Sequence, residues 1–203
     1  MKTDVITVSS RGKQMKTALD QAEKVAAYKG LCAKDALHLR LLTEEMMGMM
    51  RSITGETEGQ FWIEDQDDEY QLHLRVNARL TSEAREQLLD ASSTGKNESA
   101  KGLMGRLRDF FDWGAEDEEL AAISSPLILP DMYEHSTMPV MDWEWSMTRY
   151  ESMLYARMDS DEKAREAWDE LEKSVVKHVA DDVKVSIRSG IVEMTIIKKM
   201  GAA

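Results

Sequence analysis

The chain has 203 residues with a single cysteine, a length that supports a sizeable core without disulfide or metal staples. At 42% hydrophobic and 32% charged it belongs with globular chains rather than disordered ones, and no run approaches the roughly 20 apolar residues of a membrane-spanning helix. With 38 acids against 26 bases, the net charge of -12 argues against the concentrated basic face that a nucleic-acid backbone requires.

The N-terminal MKTDVITVSS lacks the apolar centre of a signal peptide, so the expected location is the cytoplasm. Alternation over Asp4 to Ser9 predicts a short strand. From Gly12 to Tyr28, Met15, Leu19, Ala22, Val25 and Ala26 recur at helical spacing, and Gly30 should close that helix. A second, longer helix is expected from Ala33 to Ile53, burying Leu39, Leu42, Met46, Met49, Met50 and Ile53, with Gly55 past its end. Gln60 to Glu64 and Tyr70 to Asn77 read as a hairpin around an exposed acidic turn at Asp65 to Asp68. That acidic cluster lacks the ligand alternation of a calcium loop. Thr81 is placed to cap a short helix through Leu89, ASSTGKNESAKG has loop composition, and Gly102 to Phe111 resumes an apolar pattern.

Charge then changes abruptly. Residues 114–180 hold 16 acids and 6 bases, nearly the whole imbalance, together with all three prolines. Within this block Trp143, Met147, Tyr150 and Leu154 predict one amphipathic helix. Ala164, Ala167, Trp168, Leu171, Val175 and Val179 predict a second, with Ser160 as its N-cap. Beyond it, Val183, Val185 and Ile187, a Ser189-Gly190 turn, and Val192, Met194 and Ile196 form the clearest hairpin in the sequence. His38, His73, His135 and His178 are scattered with no metal-ligand spacing among them or with Cys32.

Three passages carry a family resemblance: HLRLLTEEMMGMMRSI, KGLMGRL and DDVKVSIRSGIVEMTIIKK. With the order strand, helix, long helix, hairpin, helix, glycine loop, helix and closing hairpin, the chain resembles the histidine-kinase-like ATPase family, and within it the anti-sigma-factor serine kinases. The resemblance covers 1–112 and 181–203 and implies an α+β two-layer sandwich, a mixed sheet with helices on one face. Residues 113–180 then stand as an acidic helical insertion. It further implies ATP as cofactor, with Glu45 as the catalytic base on the long helix. Asn77 takes the place of the family's adenine-reading aspartate, and Lys101, Gly102 and Gly105 belong to the phosphate-cradling glycine box. The chain departs from the pattern at Met49, which stands where the family has a magnesium-binding asparagine; a thioether is a poor ligand for a hard cation. Ala78 and Arg79 replace expected glycines, and Met104 replaces another.

Two functions follow. One is an ATP-binding regulatory protein acting on a regulatory partner, with weak or lost serine-kinase activity. The alternative is a nucleotide-free pseudo-enzyme that binds a protein partner through the acidic block. The residues by themselves also have a plain reading: Glu44 and Glu45 as the solvated side of an amphipathic helix, Met46, Met49 and Met50 as core, and Lys96 and Lys101 as solvated loop residues.

Overall fold

A computed structural model describes residues 1–9, 13–54, 58–77, 143–188 and 191–201. Strand β1 (Ile6–Ser9) leads into helices α1 (Lys13–Lys29) and α2 (Ala33–Thr54), followed by β2 (Glu58–Gln66) and β3 (Glu69–Asn77). After residue 142 come β4 (Trp143–Ser146), α3 (Met147–Arg157), α4 (Glu162–Glu172), α5 (Val175–Val179), β5 (Asp182–Arg188) and β6 (Ile191–Lys199).

The α1 boundary has a local cause. Gly30 adopts φ +64, and the Leu31 amide reaches back to the Ala26 carbonyl at 3.0 Å while the Gly30 amide bonds Ala27. This is the capping arrangement that a residue without a Cβ forms at least cost. In the β2–β3 hairpin, Gln66 pairs with Glu69 and the two turn residues, Asp67 and Asp68, both have positive φ. That geometry matches the right-handed twist of the flanking strands, and aspartate tolerates it better than most residues.

The six strands form one sheet in the order β1-β2-β3-β6-β5-β4, and every pairing is antiparallel. This corrects the expectation of a mixed sheet: each described strand meets its neighbour head to tail, and no described crossover brings two strands in parallel. The fold class is α+β. Alternation decides which side of each strand is buried, so Phe61, Ile63, Leu72, Leu74, Val183, Val185, Met194 and Ile196 enter the core. α1 packs against β1 and α2, while α2 lies over β3 and β6. Four methionines of α2, Met46, Met47, Met49 and Met50, are buried there, filling irregular space with unbranched, polarisable side chains.

The described part of the acidic block joins the same sheet and the same core, through Trp145, Met147, Tyr150, Leu154, Ala164, Ala167, Leu171 and Val176. Its elements differ from the periodicity. Trp143–Ser146 is a strand on the free edge of β5, not the first turn of a helix. Ser146 then caps α3, its hydroxyl accepting from the Arg149 amide at 3.3 Å, while the Asp182 carboxylate of β5 accepts from the Thr148 amide at 3.1 Å. Ser160 bonds the Arg157 carbonyl at the end of α3 instead of capping α4. The second helix is divided at Lys173 and Ser174, where the His178 ring meets the Glu172 carbonyl left open by the break. The expected elements at 81–89 and 102–111 lie outside the described residues.

Candidate functional site

The flank of α2 that carries Glu45 is set by its neighbours. The Arg40 guanidinium pairs with Glu23 of α1, fixing which side of α2 faces α1. Glu45, five residues further along, is rotated by about 140° from Arg40 at 3.6 residues per turn. It therefore points away from α1, toward the half of the layer that holds α5 and α3. His38 lies two turns before Glu45 on nearly the same line, and Met49 one turn after it.

Glu45 is half-buried. Burial raises its carboxyl above the ordinary glutamate range, and the adjacent Glu44 raises it further. A carboxyl held this way is suited to taking up and releasing a proton. Met49 is 3% exposed and belongs to the core cluster, so no oxygen ligand stands one turn beyond Glu45. The Nδ1 of His38 is buried with no hydrogen-bond partner among the described residues.

Asn77 ends β3, paired with Ile191 of β6. A Cβ added at Gly59 of β2 would come within 3.1 Å of Met50 Sδ and 3.0 Å of the Arg75 carbonyl oxygen. The last turns of α2 and the last residues of β3 therefore share one end of the sandwich. Glu45 lies in the middle of α2, before these last turns, and Asn77 at the end of β3. Lys101, Gly102 and Gly105 lie outside the described residues.

A second polar cluster, which the sequence reading did not single out, occupies the sheet face away from the helices. Trp62 and His73, cross-strand partners in β2 and β3, stack with ring centroids 4.8 Å apart and planes 3° apart. Lys2 and Arg75 lie over the indole at 5.2 and 5.4 Å. The indole Nε1 donates to Glu64 at 2.8 Å, Lys2 pairs with Glu64 at 2.9 Å, and Arg75 pairs with Glu193 at 2.9 Å. His73 Nδ1 is 3.2 Å from Thr195 Oγ1, while its Nε2 is buried without a partner among the described residues. The available signal was period 2: Trp62 and Glu64 alternate with Phe61 and Ile63, so they share the opposite face with His73 and Arg75. Its charges are mutually paired, which makes it a structural network. Adjoining it at the C-terminal end of β2, a polar cleft of about 260 Å³ is lined by Met1, Glu64, Asp65, Gln66 and Gln71. No group of three metal-ligating side chains occurs among the described residues, and no described helix is long and apolar enough to cross a membrane.

The chain matches no family model, no curated protein and no solved structure.

Proposed function

We propose that this protein is a cytoplasmic ATP-binding regulator of the histidine-kinase-like ATPase type, similar to the anti-sigma-factor serine kinases, acting on a regulatory protein partner. The observation that supports this reading is Glu45: a half-buried carboxyl on the flank of α2 turned away from α1. The chain order supports it as well, because the closing hairpin inserts β6 against β3 while α1 and α2 cover the same sheet. In this reading Asn77 accepts a hydrogen bond from the exocyclic amine of adenine through its amide oxygen. The backbone amides around Gly102 and Gly105, with Lys101, meet the phosphates. Glu45 takes the proton of an attacking hydroxyl. Met49, buried and without oxygen, offers magnesium no ligand, so phosphoryl transfer is slow or absent even where nucleotide binds.

Calorimetry and thermal melting with ATP or ADP, each with and without magnesium, test this. A saturable heat and a rise in melting temperature at millimolar nucleotide are expected; neither appearing would sink the reading. Glu45→Gln should leave nucleotide affinity nearly unchanged and remove any phosphoryl transfer.

The core position of Met49 favours a second reading, a pseudo-enzyme without nucleotide that captures a protein partner through its acidic block.

A further inference from the structure

Trp62 lies on the sheet face away from the helices, yet it is only 5% exposed. Its indole sits under Lys2 and Arg75 and is stacked on the His73 ring. The groups facing His73 come from four segments: Glu64 of β2, Arg75 of its own β3, Glu193 and Thr195 of β6, and Lys2 ahead of β1. Lys2 is committed to Glu64 and Arg75 to Glu193, so neither carboxylate is idle. Nδ1 of His73 is 3.2 Å from Thr195 Oγ1 and 3.8 Å from Glu193 Oε1, and Nε2 is buried with no partner among the described residues.

This setting suits the neutral ring and not the charged one. A neutral imidazole can place its single proton on Nδ1, donate it to Thr195 and leave Nε2 a bare lone pair. An imidazolium carries N–H on both nitrogens, and Nε2 becomes a buried, charged donor without an acceptor. The indole face, which would otherwise attract that charge, already holds Lys2 and Arg75. The nearest relief is Glu193, whose side chain is 31% exposed and leads to water. We infer that His73 is a proton-operated latch: on protonation its ring leaves the stack for Glu193 and solvent, parting Arg75 from Glu193 and uncovering Trp62 while the helical face stays packed. The latch goes beyond the nucleotide reading and shares no residue with the Glu45 flank.

The test follows the full chain, labelled with ¹⁵N-tryptophan and ¹³C-histidine, by magnetic resonance as pH is lowered from 7.5 in the presence of a neutral gadolinium chelate, whose broadening reports exposure. Trp62→Phe and His73→Gln assign the two resonances, and Trp145, buried in the core, reports the integrity of the fold. Broadening of the Trp62 indole should rise with the same midpoint as His73 protonation, below the ordinary histidine value of 6.5, while the Trp145 signal stays protected. Glu193→Gln should move that midpoint down and Lys2→Ala should move it up, because the first removes an attracting charge and the second a repelling one. His73→Gln should abolish the response. A Trp62 indole that stays protected while His73 titrates would overturn the latch, as would a response that survives in His73→Gln. Loss of the Trp145 signal at the same midpoint would overturn it too, by showing global unfolding in place of a local opening.

Discussion

His73 is pressed against Trp62 on the open face of the sheet, and burial holds its imidazole below the ordinary histidine value. Glu64 and Glu193 pull in the opposite direction, while Lys2 and Arg75 add to the effect of burial. The folded chain therefore favours the neutral ring. Its contribution to stability is complete above the unfolded histidine value of 6.5 and is lost as pH falls from there through the lowered folded value. His73→Gln should flatten the decline in melting temperature between about pH 7 and pH 5, as followed by circular dichroism. An unchanged pH profile would mean that another group governs that range. Asp65 responds differently. Burial alone would raise its carboxyl, but the Lys29 hydrogen bond and charge, together with the Met1 amine, outweigh burial and lower it. The stabilisation from this pair is present above the ordinary carboxylate range and lost in acid. Lys29→Met should accordingly lower the melting temperature at neutral pH, with a difference from the parent chain that shrinks toward about pH 3. Period 2 places Trp62, His73 and Arg75 on one face, but their contacts with Lys2 and Glu193 were not legible in advance, because the N-terminus, β2, β3 and β6 meet only once all four are in register.

Two glycines on adjacent elements make opposite demands. Gly48 is exposed in the interior of α2, and a Cβ there would meet nothing within 4 Å. Gly48→Ala should therefore stabilise the protein by about 0.5–1 kcal/mol in chemical denaturation, through helix propensity and reduced unfolded-state freedom. On β2, a Cβ at Gly59 would stand 3.0 Å from the Arg75 carbonyl and 3.2 Å from Leu74 Cδ1, both in the neighbouring strand. Gly59→Ala should cost about 1–3 kcal/mol in the same assay, because the backbone of β3 cannot yield as a flexible side chain would. Elements whose ends are local were legible in the sequence: α1 stops at Gly30, and α2 runs within a residue of its expected bounds. The terminal hairpin shows the expected alternation. Trp143–Ser146 misled because positions 143, 147, 150 and 154 are compatible with a helix, while the unpaired edge of β5 that recruits them as a strand is invisible to local periodicity.

At the scale of the whole molecule, β6 is the joint. It lies between β3, from the first part of the chain, and β5, from the last, so the two parts share one sheet and one core. Removing 182–199 would expose the edge of β3 and uncover the buried faces of α2 and α3 together. The truncated chain should lose its cooperative thermal transition, as monitored by near-ultraviolet circular dichroism. A retained sharp transition would show that the rest of the chain folds without β5 and β6. The sequence by itself determined the α+β class and the principal helices and hairpins, since each follows from periods and breakers within about twenty neighbouring residues; Glu45 was singled out only by the family resemblance. Only the tertiary structure decided that the sheet is antiparallel from edge to edge, that Glu45 faces away from α1 while Met49 is sealed in the core, and that Lys2 and Arg75 converge on Trp62. Those outcomes depend on which strand edge stays unpaired and which helix flank finds a neighbour, and both are settled by contacts between residues distant along the chain.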